Sequence, residues 1–143
     1  MKTDLAKILS VSGQRGLYLY LAQARNGAIA ESLADKKRTM FDAHSKISTL
    51  ADIAIFTSEG ELRLAEVFTA MKKTADAGTA VPSSKDDPAA VQAFFAKAIP
   101  DYDADRFYVS HMKKVLDWYS ELEKYASLDF VTDEEREKQV EEA

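Results

Sequence analysis

The sequence predicts an α+β protein in which a small N-terminal SH3-like β-barrel packs against a C-terminal unit of three helices. Short apolar segments separated by turn residues fill the chain up to Ser58, and apolar residues at helical spacing follow it. The chain has 143 residues, of which 46% are hydrophobic, so it can bury a sizeable core without a metal or a disulfide. We therefore expect a barrel unit in residues 1–57, a helical unit in residues 58–130 and an acidic polar tail in residues 131–143.

The first half contains five segments with the composition of β-strands. These segments are Ile8–Val11, Leu17–Leu21, Ala28–Leu33, Arg38–Phe41 and Ile53–Thr57. In the second segment leucines alternate with tyrosines, so a strand places the leucines on one face and Tyr18 and Tyr20 on the other. Asn26-Gly27 follows, and this dipeptide favours the type I′ turn of a β-hairpin. The segments on either side of it are therefore expected to pair.

A helical turn is predicted immediately before the fifth strand. Thr49 is followed three residues later by Asp52, a spacing that can cap a single turn of helix. Five short strands with a helical turn before the fifth follow the order of a small SH3-like barrel. We favour this barrel over an open meander because closure leaves fewer unpaired edges in so short a unit.

Capping signals mark the start of three helices in the second half. Ser58 with Glu61 three residues later forms a capping box. Asp87-Pro88 combines an N-cap residue with a proline in the first turn, and Ser110 caps the third helix. An apolar stripe follows each start, and almost no apolar residue occurs after Phe130. We therefore expect a solvated helix or a frayed tail beyond it.

Charge is unevenly distributed along the chain, and cysteine is absent. Residues 1–58 contain eight basic and five acidic residues, a net charge of +3, whereas the remainder contains 11 basic and 19 acidic residues, a net charge of −8. The absence of cysteine excludes a disulfide scaffold, thiolate zinc, cysteine-ligated iron–sulfur clusters and a cysteine nucleophile. The charge of the first half is far below that of a strongly nucleic-acid-binding domain.

The alternating aspartates Asp101, Asp103 and Asp105 have the spacing that begins a calcium-binding loop. The sixth position of such a loop is Arg106 here instead of glycine, and the twelfth is Met112 instead of glutamate. The segment thus lacks both the residue for the sharp turn and the bidentate ligand. We interpret it as a solvated link between helices.

Neither histidine of the chain belongs to a recognisable metal-binding motif. His44 lies in a predicted turn and His111 in the first turn of a predicted helix, and we interpret both as solvated side chains. The chain has no Gly-x-Ser-x-Gly motif. The segment Gly13–Gly16 lacks the glycine patterns that hold phosphate, so we interpret it as a β-turn. The sequence therefore predicts no catalytic residue, no metal site and no cofactor.

The basic and aromatic surface of the first half is the strongest candidate for a binding site. Tyr18 and Tyr20 share a predicted strand face, and residues 36–38 form a basic turn. Such side chains can stack bases and hold phosphates, and tyrosine and arginine also dominate protein interfaces. The competing interpretation is that the helices cover the tyrosines and that the cations form a solvated rim. The candidate binding residues are Arg15, Tyr18, Tyr20, Arg25, Lys36, Lys37 and Arg38.

Five segments and the dipeptide Trp118-Tyr119 carry a resemblance to a known family. The segments are Lys2–Gly13, Gln23–Gly27, Glu31–Arg38, Ser48–Ile55 and Tyr108–Val115. They resemble an uncharacterised protein family of Bacteroidetes, described only as a domain of unknown function, and the resemblance is most distinctive in the first 57 residues. That family tends to an acidic residue where His111 stands, which argues against a family-wide role for this histidine. The resemblance implies a soluble cytosolic protein and brings no activity, cofactor or catalytic residue.

We expect a cytoplasmic protein, because the sequence shows no signal peptide and its longest apolar run, Leu17–Ala22, is far shorter than the ~20 residues that span a bilayer. The function that the sequence favours is a non-enzymatic interaction module that binds another protein, and the helical unit offers a surface for a homodimer. The first alternative is weak nucleic-acid binding through Tyr18, Tyr20 and residues 36–38. The second is an enzyme with carboxylates in a cleft between the two units.

Overall fold

The computed structural model describes residues 3–11, 16–42, 44 and 46–130. Within these residues the protein contains a five-stranded antiparallel sheet, a two-stranded antiparallel sheet and three α-helices. The α+β class predicted from the sequence is therefore confirmed. Three predictions fall outside the described residues: Arg15 as a binding residue, the β-turn at Gly13–Gly16, of which only Gly16 is described, and the acidic polar tail in residues 131–143.

Seven strands form the two sheets of the described chain. They are β1 (Ile8–Val11), β2 (Leu17–Ala24), β3 (Gly27–Ser32), β4 (Arg38–Asp42), β5 (Ile47–Thr49), β6 (Ala54–Thr57) and β7 (Gly60–Arg63). The larger sheet has the order β4-β3-β2-β1-β5, and β6 and β7 form the smaller one. Thus β4 and β5 are edge strands, and within the described residues no pairing between them closes the sheet into a barrel.

The hairpin predicted around Asn26 is present, but its turn lies one residue earlier. Ala24 pairs with Gly27, so Arg25 and Asn26 form the two-residue loop. Neither loop residue has a positive φ angle, so the predicted type I′ turn is wrong. Gly27 is required for a different reason, because a Cβ at this position would overlap the carbonyl oxygen of Phe41 on β4.

The strand that completes the larger sheet is β5, and the prediction of Ile53–Thr57 as the fifth strand is wrong. In the β1–β5 pair, Leu9 lies opposite Thr49 and Val11 opposite Ile47. The predicted helical turn is present at Leu50–Asp52, but it follows the fifth strand instead of preceding it. The segment after this turn pairs with β7, because a tight turn brings the chain directly back along it.

The first helix begins later than the capping box at Ser58 predicts. Ser58 and Glu59 form the turn of the β6–β7 hairpin, in which Thr57 Oγ1 donates a hydrogen bond to the carbonyl oxygen of Gly60 at 2.8 Å. Gly60 has a φ angle of +118°, a conformation that few other residues adopt. These interactions hold the segment as a hairpin, and the helix starts only at Leu64.

Three helices follow the hairpin: α1 (Leu64–Asp76), α2 (Pro88–Ala98) and α3 (Val109–Tyr125). The predicted start of α2 at Pro88 is confirmed. Helix α3 starts one residue earlier than the predicted cap, with Tyr108 as its N-cap residue. No helix in the described part of the chain is long and apolar enough to cross a membrane.

Two hydrophobic clusters lie on opposite faces of the larger sheet. The main core joins Ile8 and Leu17 of the sheet to Phe68, Phe95 and other residues of the helices, all buried. The second cluster consists of Leu9, Val11, Ala30 and Phe41, with Tyr18 and Ile47 packed against it. The helices therefore cover Leu17 and Leu19 of β2, and the tyrosine face packs over a small core of its own. Leu21 does not share this covered face, because the β2–β3 register shifts between Tyr20 and Ala22, and it is 38% exposed.

Candidate interaction surface

The two candidate tyrosines lie on the sheet face opposite the helices. The rings of Tyr18 and Phe41 pack edge to face, with 4.9 Å between their centroids. Because the intervening residue is the small and fully buried Ala30, these rings meet across β3. Tyr18 is therefore half-buried over the second cluster, whereas Tyr20 is 38% exposed beside Ala30. Of the two, only Tyr20 offers an open face to a partner.

A tight turn presents the lysines of the basic segment to solvent. Lys36 has a φ angle of +62°, and its backbone N–H donates to the carbonyl oxygen of Ser32 at 2.9 Å. The Asp35 carboxylate accepts a hydrogen bond from the backbone N–H of Lys37 at 3.0 Å, and this bond lowers the pKa of Asp35. The backbone of the turn is thus held locally, and the side chains of Lys36 and Lys37 are free to contact a partner.

The remaining cations of the candidate site are separated by the length of β4. Arg38 begins β4, opposite Glu31 on β3, and its Nε lies 3.8 Å from a carboxylate oxygen of that residue. Arg25 lies in the β2–β3 turn, next to the end of β4 at Asp42. Four residue steps along a strand span about 14 Å, so Arg25 and Arg38 cannot contact the same small group. The structure brings together Lys36, Lys37 and Arg38 and leaves Arg25 apart.

On one face of the edge strand β4, an exposed apolar residue lies between two charged residues. Arg38, Met40 and Asp42 share one face of the strand, and Met40 is 60% exposed. Met40 lies opposite Ile29. We call the unpaired side of Arg38–Asp42 the β4 edge. Met40 was missed by the sequence analysis, although a large apolar residue between Arg38 and Asp42 in a short strand was a readable signal.

One carboxylate links the larger sheet to the helices. Glu121 of α3 accepts a hydrogen bond from the backbone N–H of Leu17 at 2.9 Å. Burial raises the pKa of Glu121, while the bond from Leu17 acts in the opposite direction. Gly16, with a φ angle of +83°, lies so close that a Cβ would be 3.0 Å from the same carboxylate oxygen. Because the carboxylate of Glu121 accepts its hydrogen bond from the backbone N–H of Leu17 on β2, Glu121 contributes to the contact between the two halves.

A cleft of about 990 Å³ lies between the two halves of the protein. Leu5 and Ala51 line one side, and α1 with Leu128–Phe130 lines the other. Three exposed cations and three exposed carboxylates line it: Arg63, Lys72, Lys73, Glu66, Asp76 and Asp129. Within the described residues, no group of three or more histidine, aspartate or glutamate side chains could hold a metal ion. The alternative function, an enzyme with carboxylates in a cleft between the two units, stays a prediction.

Comparisons with known proteins match both halves of the chain. Residues 5–50 match the model of "Domain of unknown function (DUF5606)" and residues 53–122 that of "Domain of unknown function (DUF6852)". A solution NMR structure from Bacteroides vulgatus, a structural genomics target, is similar with 39% identity and a TM-score of 0.68, over 82% of this chain and 84% of that one. No curated protein matches the chain.

Proposed function

We propose that this chain, which belongs to an uncharacterised protein family of Bacteroidetes, is a cytoplasmic, non-enzymatic interaction module. It is proposed to bind protein by strand addition at the β4 edge. One observation carries this proposal: β4 pairs on one side only within the described residues, and its central Met40 is 60% exposed. An unpaired strand presents backbone N–H and C=O groups that a second strand can satisfy.

The partner that fits this edge is a second copy of the chain. Two β4 strands can pair antiparallel about a two-fold axis at Met40. In this register Arg38 of each copy lies opposite Asp42 of the other, and the two Met40 side chains meet at the axis. Registers shifted by two residues place Met40 opposite a charge. The charge pattern of Arg38–Asp42 is therefore complementary to itself in one register.

This contact is expected to be weak, because each copy contributes only five residues of strand. Each cross-strand charge pair contributes about 0.2–1 kcal/mol, and an interface of this length belongs to the small, transient class. We expect a dissociation constant between about 1 µM and 1 mM. The contact lies in the sheet and not in the helical unit that the sequence favoured for a homodimer.

Charge reversal tests the register directly. Arg38→Asp and Asp42→Arg each place like charges opposite one another, so each should weaken the dimer at least about fivefold in sedimentation equilibrium, and the double variant should restore it. Lys85→Asp is the matched control for Arg38→Asp, because it makes the same change of charge at an exposed position in the loop between α1 and α2. A monomer at about 1 mM protein, or a double variant weaker than both single variants, would overturn the self-pairing.

Nucleic-acid binding, the alternative from the sequence, makes a different prediction for the same samples. Lys36 and Lys37 are exposed beside Arg38, and phosphate contacts through them would make affinity fall steeply with salt. A titration with single-stranded oligonucleotide, with Lys37→Ala beside the wild type, separates the two functions. Binding that is lost with salt and with Lys37→Ala would favour the nucleic-acid function.

The second cluster supports an SH3-like barrel as the fold type of the first half. All five strands of the larger sheet contribute to it, from Phe41 on one edge strand to Ile47 on the other. A single small core to which every strand contributes is typical of a small barrel. We propose that the unit is an SH3-like barrel that is open between β4 and β5, so the β4 edge stays unpaired.

A further inference from the structure

A second, independent feature lies in the acidic half of the protein. A cavity of about 270 Å³ opens between β6 and α3. Its apolar wall includes Ile55, Leu64, Phe107 and Val115, all of which belong to the main core. This volume of about 270 Å³ lies just below the range of about 300–1,000 Å³ that is usual for ligand pockets. A ligand of this cavity would be small, with an apolar part of about one ring.

The polar groups of this cavity are all basic. Arg106, His111 and Lys114 line it, and no aspartate or glutamate is among its described lining residues. This is unexpected on composition, because the chain after Ser58 has 11 basic and 19 acidic residues. Lys114 makes no ion pair with any residue in the described part of the chain. We call this feature the cationic cavity.

Two of the three basic groups are held in place by their neighbours. Arg106 Nε lies 3.7 Å from a carboxylate oxygen of Asp103, and its guanidinium lies 5.0 Å from the centroid of the Phe56 ring. His111 Nδ1 accepts a hydrogen bond from the backbone N–H of Tyr108 at 3.3 Å, so the proton of a neutral imidazole lies on Nε2. Both side chains therefore keep N–H donors that these contacts do not use.

An aromatic side chain completes the wall. Trp118 lines the cationic cavity, is half-buried and packs against the main core. His111, Lys114 and Trp118 recur at spacings of three and four residues, so they share one face of α3. A flat ring beside Trp118 gains apolar contact, and an anionic substituent on that ring can reach the basic groups on the same helix face.

We propose that the cationic cavity binds a small aromatic carboxylate, with its ring against Trp118 and the apolar wall and its carboxylate between Arg106 and Lys114. The volume of the cavity limits the ligand to about one aromatic ring. The absence of acidic residues among the described lining residues favours a negatively charged ligand. The site is separate from the β4 edge and does not depend on the function proposed for that edge.

The test uses benzoate as the probe and the indole N–H signal of Trp118 as the reporter. The chain has one tryptophan, so the ¹H–¹⁵N spectrum contains a single indole signal that needs no further assignment. At constant ionic strength, benzoate should shift this signal saturably with a dissociation constant on the order of 1 mM. Benzamide, the neutral isostere, should bind at least about fivefold more weakly, and benzylammonium should not bind.

Two variants on the same helix distinguish binding in the cationic cavity from a general effect of the net charge of the protein. Lys114→Ala should weaken benzoate at least about fivefold. Lys124→Ala removes an equal charge from an exposed position of α3 outside the cavity and should leave binding unchanged. An indole signal that does not move with benzoate would overturn the proposal. So would equal binding of benzoate and benzamide, or equal effects of the two variants.

Discussion

The Glu121 carboxylate affects the free energy of unfolding in two ways, through its hydrogen bond with Leu17 and through its burial, and two substitutions separate them. Its oxygen accepts the backbone N–H of Leu17 at 2.9 Å, and Leu17 is fully buried, with 0% exposure. Glu121→Ala leaves this N–H without an acceptor, which should lower the free energy of unfolding by about 1–3 kcal/mol. Glu121→Gln retains an acceptor oxygen, so it should cost less than about 1 kcal/mol at neutral pH.

The pH dependence of this effect has a definite sign. Burial is the main cause that raises the pKa of Glu121 above its ordinary value of 4.5, and the charge of Asp117 acts in the same direction. Between the unfolded and the folded pKa the native state binds more protons than the unfolded state, so stability falls as the pH rises. The glutamine variant does not titrate. Relative to it, the wild type should therefore be most stable below pH 4.5 and lose that advantage at higher pH.

Urea denaturation from about pH 3.5 to 8, at a common m-value, measures this difference. Glu123→Gln is the matched control, because Glu123 is an exposed residue on the same helix, and its difference from the wild type should not follow the same curve. A wild type that gains stability over Glu121→Gln as the pH rises would refute burial as the dominant cause. Equal stability of the alanine and glutamine variants would refute the role of the hydrogen bond.

Three further changes test the packing, each by the midpoint of urea denaturation at an unchanged m-value. Gly27→Ala should cost about 1–3 kcal/mol or more, because the added Cβ overlaps the carbonyl oxygen of Phe41; an unchanged midpoint would contradict that close approach. Phe68→Ala should cost about 3–5 kcal/mol, because Phe68 is 0% exposed; a loss below about 1 kcal/mol would place it outside the core. Asp87→Ala should cost less than about 0.5 kcal/mol, because its side chain makes no capping hydrogen bond; a loss near 1 kcal/mol would indicate a cap in solution.

The strand and helix signals of the sequence succeed where local and tertiary preferences agree. Asp87-Pro88 marks the start of α2 correctly, and the alternation places Leu17 and Leu19 on the face that the helices cover. It fails at Leu21, where an irregularity in the β2–β3 register leaves the side chain 38% exposed. At Ser58 the two preferences conflict. The capping-box spacing to Glu61 favours a helix, but Gly60 and the Thr57 side chain stabilise a turn, and pairing of β6 with β7 decides the outcome.

The order of the larger sheet could be predicted only in part. The strand that completes it, Ile47–Thr49, has three residues, too few for an alternating pattern to be recognised. Ile53–Thr57 has a stronger β composition, which favours it as the fifth strand. The composition of a segment indicates that it can form a β-strand, but it does not indicate with which strand the segment pairs. Pairing depends on turns such as the one at residues 58–59, which returns the chain onto itself.

The two proposed sites differ in how far the sequence could have revealed them. At the β4 edge, the self-complementary charges of Arg38 and Asp42 are only four residues apart in the sequence, and only the absence of a pairing strand needed the structure. In the cationic cavity, His111, Lys114 and Trp118 share a helix face that the spacing of three and four residues predicts. Nothing local indicates that Phe56 and Arg106 face them. The net charge of −8 over the second half gives no indication of this cavity. Net charge is a sum over the whole protein surface, whereas a ligand contacts only the residues that line its site.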